Sequence, residues 1–246
     1  MDRLIFTAMS GMTDSMTRQR VLASNMANAQ TIGFRAEMLY STPVTLKGPS
    51  LEARAMSEGE VRGADMTAGS ITATGRPLDI AMTGDALLAV QAADGTEAYT
   101  RRGDLSVSVT GVLENGDGRP VIGASGPITV PVGSQVTIAQ DGSILVANPD
   151  SPDQPPQAID KLKLASPKGS SVTKNLDGLF RVSGGGVLPT DENAQVQTAA
   201  LEQSNVKPSE VVVQMIQAQR LFDIRTKLIA TARDVDQSGA SLMRIS

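Results

Sequence analysis

Apolar residues recur at alternating spacings of four and three at both ends of this 246-residue chain, and at spacings of two in much of the stretch between. Near the start the positions are Ile5, Met9, Met12, Met16, Gln19, Ala23 and Met26, a heptad seam with one polar member, which Ala8 and Leu22 widen. From Pro208-Ser209-Glu210 onward two seams interleave. One holds Val211, Met215, Ala218, Phe222, Ile229 and Ala232, interrupted by Arg225. The other holds Leu221, Ile224, Leu228, Val235 and Leu242, with Thr231 and Ser238 in its polar slots. A helix with two seams has two packing partners. Neither end buries its stripe alone, so the ends meet each other or other subunits, and an assembly protein is favoured over an enzyme. A fully buried Met, Ile or Leu contributes roughly 1.5–3 kcal/mol, while ordering each backbone residue costs about 1–2 kcal/mol. A lone pair of such helices comes out near balance, so the ends are expected to be weakly ordered in a free subunit and firm on assembly.

Between the ends the pattern changes. Leu78-Asp79-Ile80-Ala81-Met82 and Leu105-Ser106-Val107-Ser108-Val109 alternate, and Leu87-Leu88-Ala89-Val90 is a continuous apolar run. Val136-Thr137-Ile138, Ile144-Leu145-Val146 and Leu162-Lys163-Leu164 are further strand candidates. Asp94-Gly95, Asp117-Gly118, Asp141-Gly142 and Asp177-Gly178 supply tight turns. The expected fold class is α+β, with terminal amphipathic helices packed as a coiled-coil-like pair and a central antiparallel all-β domain, a sandwich or irregular barrel. The expected division is an N-terminal helix over 1–34, an extended connector over 35–70 that is partly strand, a β domain over 71–203 and a C-terminal helix over 204–246. Gly48-Pro49 punctuates the connector, and Pro149 to Pro156 reads as a stiff surface loop.

Absences narrow the chemistry. The chain has no Cys and no His, which excludes thiolate or imidazole zinc sites, Ser–His–Asp and Cys–His nucleophile arrangements, and a disulfide framework. Gly184-Gly185-Gly186 lacks the Lys and Ser/Thr of a phosphate loop, and the Asp-Gly pairs lack calcium-loop spacing. No catalytic residue, cofactor or metal is expected. The net charge of −4 includes no basic patch of the kind that binds nucleic acid. No run approaches the ~20 apolar residues of a membrane span. Polar residues from Thr7 to Ser15 break the first apolar run short of a cleavable leader.

Three blocks resemble the flagellar basal-body rod and hook protein family. Residues 1–12 (Met-Asp-Arg-Leu-Ile-Phe-Thr-Ala-Met-Ser-Gly-Met) continue to Asn25, Asn28, Thr31, Gly33, Phe34 and Arg35, similar to that family's N-x-x-N-x-x-T-x-G-F-[KR] ending. Thr74 to Ile80, Gly84-Asp85 and Ala98 to Leu105 resemble its central block, and Ser204-Asn205-Val206 with Met215 to Asp223 its C-terminal block. The chain departs where the family has Gly-Asp-Gly-Phe-Phe (here Gly84-Asp85-Ala86-Leu87-Leu88) and where it has Asn at the position of Arg225.

The resemblance implies a structural subunit of the bacterial flagellar rod, exported unfolded through the flagellar type III apparatus without a cleaved signal. It further implies helical assembly in the periplasm with itself and other rod proteins, torque transmission to the hook, and terminal helices lining the export channel. The opening residues point to a proximal-rod subunit, with a distal-rod subunit as the alternative. A cell-wall binding module or hydrolase is the reading from another class. Ile5, Met9, Met12, Met16 and Met26, with Met215, Leu221, Phe222, Ile224, Leu228 and Ile229, are then the expected inner-tube contacts. Asn25, Asn28, Thr31, Gly33 and Phe34 mark the helix end, where capping suits Gly33 and docking onto another subunit suits Phe34.

Overall fold

A computed structural model describes residues 2–45, 55–131, 133–147 and 154–243. The chain forms two compact units. The first comprises residues 1–27, 37–62 and 207–246, and the second residues 28–36 and 63–206.

The first unit holds helix α1 (Asp2–Ala27), strands β1 (Glu37–Thr45) and β2 (Ala55–Ala64), which pair, and helix α2 (Pro208–Met243). The stretch read as a connector thus carries a strand pair, while Gly48-Pro49 lies outside the described residues. Helix α1 ends at Ala27, one residue after Met26, the last apolar position of its seam. Beyond it the chain turns through Asn28 to Thr31, and Gly33 takes a left-handed backbone (φ +67°) six residues past the helix end, so it does not cap α1. Helix α2 begins on Pro208, whose ring pre-sets the first helical φ, with Glu210 in the positive first turn. The two helices pack on each other, and α1 also packs on β1.

The second unit contains the short strands β3 (Ile71–Ala73), β4 (Ile80–Met82), β5 (Leu87–Gln91), β6 (Glu97–Thr100), β7 (Leu105–Val107), β8 (Leu113–Asn115), β9 (Gln135–Ile138), β10 (Ser143–Ala147), β11 (Gln157–Lys161), β12 (Leu164–Ala165), β13 (Val172–Lys174), β14 (Phe180–Val182), β15 (Val196–Thr198) and β16 (Ala200–Glu202). The largest sheet runs β12-β5-β6-β14-β13, and β11-β10-β9 form a second; every pairing of described register is antiparallel. Strand β5, interior to the five-stranded sheet between β12 and β6, explains the unbroken run Leu87 to Val90. Leu88 and Val90 enter the main core with Ile80, Leu105, Leu113 and Ile144, while Leu87 and Ala89 enter a smaller core with Tyr99 and Phe180. A strand buried on both faces has no polar side to show. Where the family has two aromatics, Leu87 and Leu88 therefore pack into separate clusters.

All four Asp-Gly pairs sit in turns with the glycine at positive φ. Three strand candidates differ from expectation. Strand β4 begins only at Ile80, with Leu78 in a turn and Asp79 in an isolated bridge to Asp104. Strand β7 stops at Val107 because Gly111 N–H closes a turn onto the Ser108 carbonyl, leaving Val109 97% exposed. Leu162 and Lys163 fall between β11 and β12. Residues 149–153 of the Pro-rich loop lie outside the described residues, and Gln154 to Pro156 are exposed.

Tyr99 is fully buried; its hydroxyl donates to Glu97 Oε1 at 2.7 Å and accepts the Leu188 N–H at 2.6 Å. Burial first, and then the Glu97 carboxylate, push the phenol well above its ordinary value of 10.0. The folded state therefore keeps a proton that the unfolded chain loses near pH 10, so this contribution to stability is intact below that pH and fades as pH rises above it. In a Tyr40→Phe variant, where Tyr99 is the sole tyrosine, tyrosinate absorbance is expected to appear only together with loss of the circular-dichroism signal. Ionisation near pH 10 in an intact fold would contradict this.

Candidate assembly interface

Within the helix pair the contact faces are unequal. Helix α2 turns Val211 and Ala218 inward, with Phe222, Arg225 and Ile229 half-buried, which is the first of its two seams. The second seam faces outward: Leu221 is exposed, and Ile224, Leu228 and Val235 are 59%, 48% and 52% exposed. Met215, a member of the first seam, lies at its exposed edge.

Helix α1 buries Gly11, Ser15, Val21, Leu22 and Asn25, a face that apolar periodicity does not mark. Its methionine seam lies to one side. Met9, Met16 and Met26 are exposed and Met12 is half-buried; the Ile5 side chain lies outside the described residues. Arg225 locks the pair, donating through Nη1 to the Gly11 carbonyl and to Ser15 Oγ. A Cβ on Gly11 would stand 3.3 Å from the guanidinium. The Arg that departs from the family pattern thus lies over a glycine with room for it.

The residues marking the helix end divide their work. Asn25 pairs with the backbone of Glu37, donating to its carbonyl at 3.1 Å and accepting its N–H at 2.8 Å, which ties α1 to the start of β1. Asn28 Oδ1 accepts the Thr31 hydroxyl at 3.1 Å, a local turn. Gly33 donates its N–H to the Glu202 carbonyl at 2.8 Å. Half-buried Phe34 carries the Lys174 ammonium 3.4 Å from its ring centroid, a cation–π contact inside the second unit.

A buried charge cluster closes the second unit. Glu202, 1% exposed, pairs through Oε1 with Arg35 at 2.8 Å and through Oε2 with Arg101 at 2.6 Å, and Oε1 also accepts the Gly69 N–H at 2.8 Å. Arg101 further donates to the carbonyls of Met82 and Gly84. Burial pushes the Arg101 guanidinium down from its ordinary value and Glu202 pulls it back up. Beside the cluster Asn205 accepts the Ala36 N–H at 2.8 Å and donates to the carbonyls of Asp65 and Thr67. The N-terminal, central and C-terminal blocks thus meet in one polar knot. Arg35, Arg101 and Asn205 lie in recognised blocks, whereas a lone Glu202 has no mark in the sequence.

Comparison with known proteins follows the same three blocks. Residues 5–35 match the family of flagella basal body rod proteins, 81–146 the D1 domain of flagellar hook protein FlgE/F/G, and 197–242 the C-terminal region of flagellar basal body rod FlgEFG proteins. The chain is 42% identical over 252 residues to the flagellar basal-body rod protein FlgF of Salmonella typhimurium, covering all of both chains. It is 42% identical to FlgF of Escherichia coli over 240 residues, 95% of each chain. Identity to the rod protein FlgG of Bacillus subtilis is 30% over 265 residues, covering 98% of this chain and 99% of that one.

Proposed function

Because this chain belongs to the flagellar basal-body rod protein family and is a structural subunit of the basal-body rod, alongside other rod proteins, we propose that its helix pair builds the wall of the rod by burying its outward stripes against neighbouring subunits. The subunits stack helically and pass torque along the rod toward the hook, and the helix pair, packed in coiled-coil fashion, lines the export channel. The flagellar type III apparatus delivers the chain, without removal of a leader, to the part of the rod that crosses the periplasm. Greater similarity to FlgF than to FlgG supports a proximal position.

One observation carries this reading. The second seam of α2 keeps Ile224 and Leu228 about half exposed or more although α1 and α2 already pack together. A contiguous apolar stripe of this kind marks an interaction surface. An identical subunit added head-to-tail without closure gives a helical array.

The test is complementation of a strain lacking the gene by Ile224→Glu with Leu228→Glu. Both changes fall on exposed positions, so the purified variant is expected to keep its melting temperature to within about 2–4 °C, which is about 1 kcal/mol or less. In cells it is expected to stop rod growth and swimming. Normal swimming would remove the proposal.

A further inference from the structure

The first unit carries a ridge and a groove on different faces, and their dimensions match. Met9, Met12 and Met16 form the ridge, which Ala23 and Met26 extend. Met9 to Met16 is two helical turns, about 10 Å at 1.5 Å per residue. The groove has a volume of about 750 Å³ and lies among α1, α2 and β1. Its floor is Val21, Leu22 and Ala218, all buried, and its rim includes Arg18, Glu37, Gln214 and Gln217. On α2 the lining runs from Gln214 to Leu221, again two turns or about 10 Å. The exposed second seam, Ile224, Leu228 and Val235, continues along the same face of α2 at heptad spacing. Groove and stripe together make a track for one further helix.

We infer that the track is filled by the methionine ridge of a second copy of this chain, and that this contact propagates the assembly. The inference builds on the reading that the outward stripes are covered by neighbours, and it names what covers one of them. The ridge cannot enter the groove of its own copy. Met9, Met12 and Met16 lie roughly 160° around α1 from Arg18 and Asn25, which line that groove. Ridge and groove are different surfaces, so their union is heterologous and leaves a groove and a ridge open at either end of a growing array. Methionine suits the fit, being unbranched and able to adapt to an irregular floor. The flanking charges include an opposite pair: exposed Arg20 stands one turn beyond Met16 on the ridge helix, and Glu37 stands with Arg18 on the rim of the groove. Opposite charges at a rim set register and suppress wrong pairings more than they add affinity.

The chain has no cysteine, so paired introduced cysteines give an unambiguous test. Two differently tagged copies, one Met16→Cys and one Gln217→Cys, are expressed together in cells lacking the native gene, and isolated rods are mildly oxidised. The expected product is a disulfide-linked dimer carrying both tags. Its yield should be several-fold above that from Met16→Cys with Ile216→Cys, an exposed position on another face of α2. Equal yields, no dimer in assembled rods, or linkage of Met16→Cys to a different basal-body protein would each overturn the inference. If the cysteine copies do not assemble, Arg20→Glu and Glu37→Arg replace them. Each alone is expected to slow swimming and the two in one chain to recover it, and absence of recovery overturns the inference. Protection of Ile224→Cys from a thiol reagent in rods separates the cases. With protection but no Met16–Gln217 link, only the ridge-in-groove contact fails. Without protection, the covered stripe itself fails.

Discussion

Glu202→Ala is expected to cost about 3–5 kcal/mol, the loss seen when a buried ion pair is broken by removing one partner. The substitution leaves Arg35 and Arg101, both buried, facing each other across the space their shared carboxylate occupied. It also orphans the Gly69 N–H. Domains of ordinary stability hold only about 5–15 kcal/mol in total, so the variant is expected to be largely unfolded at modest urea concentrations. Glu202→Gln separates charge from shape: it keeps an acceptor for Gly69 but no charge, and is expected to recover only part of the loss. Urea titration followed by circular dichroism reads both. A loss under about 1 kcal/mol for the Ala variant would mean that the two guanidinium groups reach solvent and that the cluster does not hold the second unit closed.

Gly33→Ala is expected to be the next most damaging change, for two separable reasons. A left-handed backbone costs an L-residue roughly 1–2 kcal/mol, and φ at Gly33 is +67°. In addition, an added Cβ would lie 2.4 Å from the backbone carbon and oxygen of Arg101, which cannot move without disturbing the Glu202 cluster. Overpacking of this kind costs about 1–3 kcal/mol more. Gly178→Ala is the control: its φ is +79° and nothing lies within 4 Å of the added carbon, so only the backbone cost applies. Gly33→Ala should therefore melt well below Gly178→Ala. Equal melting temperatures would show that the close approach to Arg101 is not tight.

Much of this fold is written in local pattern. The Asp-Gly turns were legible because an L-residue rarely takes their backbone and glycine does so freely. The run Leu87 to Val90 was legible as a buried strand, and the two seams of α2 as two faces, one of which packs on α1 and one of which is bare. Where polar residues carry the packing, pattern fails. The inward face of α1 is Gly11, Ser15 and Asn25 beside Val21 and Leu22, and apolar periodicity pointed instead to the methionines on its flank. Glu202 was invisible for a related reason. Its partners lie far away in sequence, and only chain closure brings Arg35 and Arg101 to it. Phe34, expected to reach another subunit, has an intramolecular neighbour in Lys174 that no local rule links to it.

The covered stripe is tested most directly by an Ile224→Cys variant, the sole thiol in the chain, treated with a maleimide as purified subunit and in isolated rods. The subunit should label quickly and the rods should resist labelling until they are dissociated. Equal labelling in both states would contradict the account, because the stripe would then face water in the finished rod.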